Sequence, residues 1–369
     1  MNKKTFLLIS ILVLTLTFTC FAGPFSAGSK LDKYYKALTA YDFVPYNKGY
    51  TLEELIKIEL KAKYPADRYE ITGGLEMASE AGYAIGEIDI LVLDKKTKKV
   101  VVIGEAKVWT DLAKALVKAK SQLIKIKDAI NSGKVDSLYY VPDPSRKFTL
   151  DIFKDANIKY ETFGSKGAKR YGFDYETDIT PNETTSLNNA LVKAHYKSFK
   201  PGPEILEYIA YVKKMKFPTR DDKSTFIACV RLENEKTYPP QEYKVMDDVA
   251  YFDAKGKDLG HVKMVFVNRK DNKVANVMNI VYGWNNLENA AKVYNKYLAD
   301  FNAALKGNII KTLKAKFPKG ATLKPTDFDS VFKIDSYGIK GAKISGFTKE
   351  LLLTADEIFY IRLKAKGEL

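Results

Sequence analysis

The sequence predicts an α/β protein made of two tandem units, each a mixed sheet flanked by helices. Amphipathic helical stretches alternate with short β-rich runs, and one self-similarity recurs at a constant offset along most of the chain. Within the first unit, two apolar strands form a hairpin that carries ionisable side chains. The 369 residues are 46% hydrophobic and 12% aromatic, enough to bury real cores and to exclude a disordered chain. Two cysteines and two histidines exclude a disulfide scaffold and a Cys- or His-rich zinc module, so any metal would be a hard cation held by carboxylates.

Residues 1–22 read as a signal peptide: Lys3 and Lys4 precede an uncharged, mostly apolar run from Phe6 to Phe18 that is short for a membrane span. Cleavage fits after Ala22 or Ala27, with lipid attachment at Cys20 as the alternative, and the predicted destination is the periplasm or the extracellular space. Cleavage would leave Cys229 as the one cysteine, so no intramolecular disulfide could form.

The offset is 174 residues. Gly164 to Glu176 (GSKGAKRYGFDYE) lies against Gly338 to Glu350 (GIKGAKISGFTKE) with eight identities in thirteen positions. Without a gap, the same offset pairs Tyr34 with Tyr208, Glu59 with Glu233, Tyr64-Pro65 with Tyr238-Pro239 and Gly86 with Gly260. The predicted units are therefore 28–180 and 202–355, joined by a helical connector at 181–201 and followed by a tail at 356–369.

In the first unit an amphipathic helix is expected at Leu52–Lys63 and a strand near Tyr69–Thr72. The hairpin follows, Ile88–Leu93 and Val100–Val108, turning at Asp94–Lys99. Leu112, Leu116, Ala119, Leu123, Ile126 and Ile130 then keep one face of a long helix over Leu112–Ile130, with short strands at Leu138–Val141 and Ile158–Phe163. A last helix is expected at Thr185–Phe199, stopped by Pro201-Gly202-Pro203.

Asp89 interrupts the first apolar strand of the hairpin, and Glu105 and Lys107 alternate onto one face of the second. Charges in such a setting are costly without compensation. An Asp strand followed by a Glu-x-Lys strand, with helices on both sides, resembles the PD-(D/E)xK, restriction-endonuclease-like nucleases over residues 50–165. The bare Glu-x-Lys tripeptide is unspecific, since it also occurs at Glu59–Lys61 and Glu242–Lys244; its context carries the resemblance. A pair of surface cross-strand ion pairs is the bland alternative.

The resemblance implies two tandem restriction-endonuclease-like domains. It also implies that Asp89 and Glu105 hold Mg²⁺, with Mn²⁺ as the alternative ion, and that Lys107 assists the attacking water. Hard carboxylate oxygens suit such a cation, which lowers the pKa of bound water, and an ammonium offsets charge building on phosphorus. An added acid from the first helix is expected at Glu59, near the centre of its apolar face, with Glu53 and Glu54 as further options. Gln122 is a candidate supporting residue, against the plainer reading of a solvated side chain.

At the same offset Asp89 becomes Lys263, Glu105 becomes Asn279 and Lys107 becomes Val281, so the second copy lacks the chemistry. It is also the more basic: residues 28–176 carry a net +4 and residues 202–350 a net +8, out of +15 for the chain. That suits phosphate binding, with Lys263 placed where the first copy would hold metal, or a purely stabilising pseudo-dimer half. The sequence thus predicts an exported nuclease acting on DNA, or else RNA, as a monomeric pseudo-dimer or a homodimer. The rival is a non-catalytic exported binding protein of nuclease-like fold, for nucleic acid, a surface or a protein partner.

Overall fold

The computed structural model describes residues 23–40, 44–80, 84–140, 143–215, 221–280, 296, 299–307, 309–317, 322–324, 327–337 and 353–369. The expected signal peptide with Cys20, Val281 and the repeat segment 338–350 lie outside the described residues. No helix among the described residues is long and apolar enough to cross a membrane.

The first half opens with helix α1 (Lys30–Thr39), capped by the Ser29 side chain. Helix α2 (Lys48–Leu60) starts one turn before the expected Leu52, because the Asn47 side chain accepts the Tyr50 N–H at 3.0 Å and caps it there. Five strands follow: β1 (Tyr69–Thr72), β2 (Leu75–Ala78), β3 (Ala84–Ile88), β4 (Ile90–Asp94) and β5 (Lys99–Lys107). The β4–β5 turn is tied by Asp94, which accepts the N–H groups of Lys96 and Thr97. After β5 come helix α3 (Leu112–Asn131), strands β6 (Ser137–Tyr140), β7 (Asp143–Phe148), β8 (Lys159–Gly164) and β9 (Tyr175–Glu176), and helix α4 (Pro181–His195).

These strands form two sheets. One runs β1-β4-β5-β8-β9, with β5, β8 and β9 parallel; the other is antiparallel, in the order β3-β2-β6-β7. On one face of the first sheet, Leu52, Leu55 and Ile56 of α2 and Leu187 and Leu191 of α4 pack against Ile90, Val92, Val102 and Phe163. On the other face Leu123 and Ile126 of α3 cover Leu91 and Ile103, and reach Leu75, Met77 and Leu138 of the second sheet. Each fully buried Leu or Ile contributes about 1.5–3 kcal/mol relative to exposure.

The second half comprises α5 (Pro203–Lys214), α6 (Asp222–Glu235), β10 (Tyr243–Phe252), β11 (Asp258–Asn268), β12 (Val274–Ile280), a helical run at 299–306, β13 (Thr312–Phe317), β14 (Thr322–Leu323), β15 (Phe328–Tyr337) and α7 (Ala355–Lys366). Individual contacts recur 174 residues apart. Tyr34 donates to Glu59 and Tyr208 to Glu233. The rings of Tyr64 and Tyr69 meet edge-on at 5.3 Å, and those of Tyr238 and Tyr243 at 5.2 Å. Capping boxes start α4 at Thr180/Glu183 and α7 at Thr354/Glu357.

The last pair changes the reading of two segments. The expected connector at 181–201 contains α4, which packs on α1 and α2; the expected tail at 356–369 contains α7, which packs on α5 and α6. Both helices bury apolar side chains in the cores, Leu187 and Leu191 in one and Ile358, Phe359 and Ile361 in the other, which a linker or a loose tail would leave in water.

Strand continuity distinguishes the halves. In the second, β10 and β11 run unbroken through one six-stranded sheet, β14-β13-β10-β11-β12-β15. The same register in the first half is cut after Thr72↔Leu91 and resumes at Leu75↔Ile88, leaving Gly73, Gly74 and Asp89 in the gap. The two halves meet through aromatic contacts: Tyr46 with Phe359 at 5.3 Å and Phe199 with Tyr360 at 4.5 Å. His195 Nε2 stands 3.1 Å from both carboxylate oxygens of Asp356.

Candidate active site

Asp89 occupies the bend between β3 and β4, where the chain leaves one sheet for the other. Its Oδ2 accepts the backbone N–H of Ala106 at 2.8 Å, which fastens it to β5 between Glu105 and Lys107. The Lys107 ammonium pairs with Glu105 Oε1 and stands 3.8 Å from Asp89 Oδ2. Glu105 is fully buried, and its second oxygen, Oε2, has no hydrogen-bond partner. Asp89, Glu105 and Lys107 are therefore brought together.

Two further acids face this group. Glu53 of α2 and Glu87 of β3 both interact electrostatically with Asp89, and Glu87 lies directly across the ladder from Glu76. Burial, reinforced by the Asp89 charge, raises Glu53 well above the ordinary carboxylate range. The same causes lift Glu105 to about 8, and Glu87, beside Asp89 and Glu76, is raised to about 7 although its side chain reaches solvent. Asp89 is raised by burial too, against the pull of Lys107 and the Ala106 N–H. For Lys107, burial works against the charge, but Asp89 and Glu105 outweigh it and strengthen its hold on the proton.

Glu59, the expected helix acid, is placed elsewhere. Its carboxylate accepts the hydroxyls of Tyr34 and, at 2.8 Å, Tyr175, so it faces the aromatic packing around α1 rather than Asp89. Being at the centre of the apolar face sends a side chain into the helix packing, whereas Glu53 flanks that face and can reach the sheet end. Glu54 pairs with Lys57 one turn on. Gln122 is half-buried, with Oε1 buried and without a partner, so it is not simply solvated. Glu87 was legible as the acid two residues before Asp89 on the same strand face.

In the second half Lys263 stands across the β10–β11 ladder from Asp248, whose φ is 51°, and pairs with that carboxylate at 3.3 Å. Glu53 and Glu87 correspond to Ile227 and His261, so the accessory acids are missing there as well.

A cleft of about 470 Å³ opens beside the cluster. Tyr46, Tyr50, Glu53, Gly74 and Glu87 line one side, and Asp222, Thr354 and Asp356 of the second half line the other. Among the described residues no three acid, His or Cys side chains already stand spaced as a ligand set for a metal. The donor set nevertheless fits a hard divalent cation. Buried Asp89 and Glu105, half-buried Glu53 and exposed Glu87 crowd one another against the ammoniums of Lys107 and Lys57, and no amine, amide or hydroxyl donor reaches Glu105 Oε2. In comparisons with known proteins, no family model, no curated sequence and no solved structure matches the chain.

Proposed function

We propose that the protein is an exported, divalent-cation-dependent nuclease of the PD-(D/E)xK kind, acting on DNA in preference to RNA, with its site in the first half of a duplicated chain. The observation that carries this reading is the meeting of Asp89, Glu105 and Lys107 with Glu53 and Glu87 in one acid-rich cluster beside a cleft. Asp89 and Glu105 would hold Mg²⁺ or Mn²⁺, and the ion would supply charge for the scissile phosphate and acidify the attacking water. Lys107 orients that water and offsets charge building on phosphorus. Glu53 and Glu87 stand beside this centre as further acids. The second half, lacking all five residues, forms the far wall of the cleft and keeps the site in shape. With one site per chain, nicking or end-trimming is the expected pattern unless two chains pair.

The test is incubation of the mature protein with plasmid and linear DNA in Mg²⁺, Mn²⁺ or EDTA. Cleavage that needs the metal and disappears in Glu105→Ala and Lys107→Ala supports the reading; cleavage that survives both removes it. The rival, a non-catalytic exported binding protein, draws on the Lys107–Glu105 pair, which satisfies charges that a working site would present to a cation. Binding without cleavage in either metal selects it.

A further inference from the structure

The most strongly repeated segment of the chain, Gly164–Glu176, is not explained by the acid cluster. Most of what the two copies share there has a packing reason. A Cβ on Gly164 would fall 2.5 Å from that of Ala168, and Gly167 and Gly172 have φ of 92° and 96°. Ala168 and Phe173 are buried with Leu112, Ala115 and Ala119 of α3 in a small separate core. Lys166 and Lys169 have no such reason, because both side chains are exposed. They nevertheless recur as Lys340 and Lys343. Lys166 pairs with Asp178 at 3.0 Å, but the counterpart of Asp178 is Leu352, so that ion pair does not account for the second lysine.

The placement of this turn gives the lysines a use. Strands β5 and β8 are parallel, and Lys107 lies in register with Gly164. The chain leaving β5 and the chain leaving β8 therefore emerge at the same sheet edge. The first carries Trp109 and the second carries Lys166, Lys169, Arg170 and Tyr171. Trp109 and Tyr171 are each 42% exposed, although both rings could have been spent on a core. The Arg170 guanidinium lies 5.1 Å over the Tyr171 ring. Among the described residues no carboxylate pairs with the side chain of Lys169 or Arg170. Gly167, whose Cβ would stand 4.0 Å from Leu112, ties the turn to the start of α3 just beyond Trp109.

We propose that Lys166, Lys169 and Arg170, with Trp109 and Tyr171, form a ridge that binds single-stranded nucleic acid beside Lys107, the cations taking backbone phosphates and the two rings stacking on bases. This rests on the nuclease reading only for its purpose, because the ridge delivers a strand to the acid cluster. Stacking needs unpaired bases, whose faces a duplex hides, so the ridge selects single strands and frayed or flapped ends. Cations alternating with exposed rings give affinity without sequence preference.

The test measures binding by the full chain to a fluorescein-labelled thymidine 20-mer by anisotropy, in EDTA so that nothing is cut. Lys169→Ala/Arg170→Ala is expected to weaken binding by about tenfold or more at low salt and to flatten the log–log salt dependence by roughly 1.4, about 0.7 per phosphate contact on a single strand. Trp109→Ala is expected to weaken it about 5- to 100-fold, the range of one lost base stack, with Trp109→Phe recovering most of the loss. Unchanged thermal melting of each variant guards against misfolding. The proposal is overturned if wild type binds only the duplex form, or if both variants bind the 20-mer as wild type does. Hydrolysis of bis(p-nitrophenyl) phosphate by wild type and Glu105→Gln, with Mn²⁺, tests the nuclease reading separately. Ridge-dependent binding without that hydrolysis sinks the enzyme alone, whereas hydrolysis without ridge-dependent binding sinks the ridge alone.

Discussion

Gly73 and the backbone of Asp89 cross so closely that a Cβ on the glycine would lie 1.8 Å from the aspartate carbonyl oxygen. No side chain other than hydrogen fits there without moving one of the two strands. Gly73→Ala is expected to displace Asp89 from the Ala106 N–H. It should lower metal-dependent cleavage at least tenfold, with a stability cost of about 1–3 kcal/mol from overpacking. A urea titration and an activity assay on the same preparation would measure both.

The two helix acids separate by experiment. Glu53→Gln, at the acid cluster, is expected to reduce cleavage by about 10²-fold, in the range of a lost electrostatic or general acid–base contribution, with little loss of stability. Glu59→Gln gives up charge-assisted bonds from Tyr34 and Tyr175, so it should cost on the order of 1.5–3 kcal/mol while the folded fraction keeps its activity. The reverse pattern would restore Glu59 as the site acid.

Crowded acids make the metal-free protein pH-sensitive. Glu105, fully buried and near 8, holds a proton in the native state that the unfolded chain releases at an ordinary carboxylate pKa. That contribution is fully present below the unfolded pKa and is lost as the pH rises through about 8. In EDTA the denaturation midpoint should fall between pH 5 and 8 by the equivalent of about 1–3 kcal/mol. Glu105→Gln should flatten that fall, and Mg²⁺ should reverse it at pH 8, since a ligand at 100 times its Kd stabilises by about 2.7 kcal/mol. A midpoint indifferent to Mg²⁺ at pH 8 would count against cation binding at this cluster.

The junction of the halves should respond to acid in the opposite sense. Burial pushes the Asp356 carboxyl up, but the hydrogen bonds from His195 and Tyr196 outweigh it and bring it below its ordinary value. Its contribution is present above the unfolded carboxylate pKa and is lost as pH falls through the lower native one. Asp356→Asn is expected to lower the denaturation midpoint at neutral pH by about 1–3 kcal/mol, and to remove part of the acid sensitivity below pH 4. Denaturation curves at pH 7 and pH 3.5 for the two proteins would measure it.

Periodicity and spacing made much of the first half legible. The hairpin, the strand at Tyr69–Thr72 and the helix from Leu112 fall within about two residues of where alternation and apolar repeats put them. What escaped was only in part tertiary in its logic. Helix α1 is short but strongly amphipathic behind its Ser29 cap, so its signal was present in the sequence; it packs against α4. Strands β2 and β3 join β6 and β7 in a second sheet because the chain breaks at Gly73-Gly74, a break that depends on the close crossing with Asp89. Glu105 and Lys107 could be read from strand alternation, whereas Asp89 stands at the bend between β3 and β4 and was legible only from the wider pattern of an acid strand before a Glu-x-Lys strand. The helix acid could not be read, because a wheel shows which residues share a face but not which neighbour that face meets.

The broken strands of the first half and the continuous ones of the second amount to a matched pair supplied by the molecule itself. Where the acids are absent, the left-handed backbone of Asp248 is all that remains of the interruption, and an ion pair with Lys263 spans it. The seam between the two sheets of the first half therefore coincides with the acid cluster. A duplicated chain of this kind would reveal which of its copies retains an acidic centre by backbone connectivity alone, before a single side chain is identified.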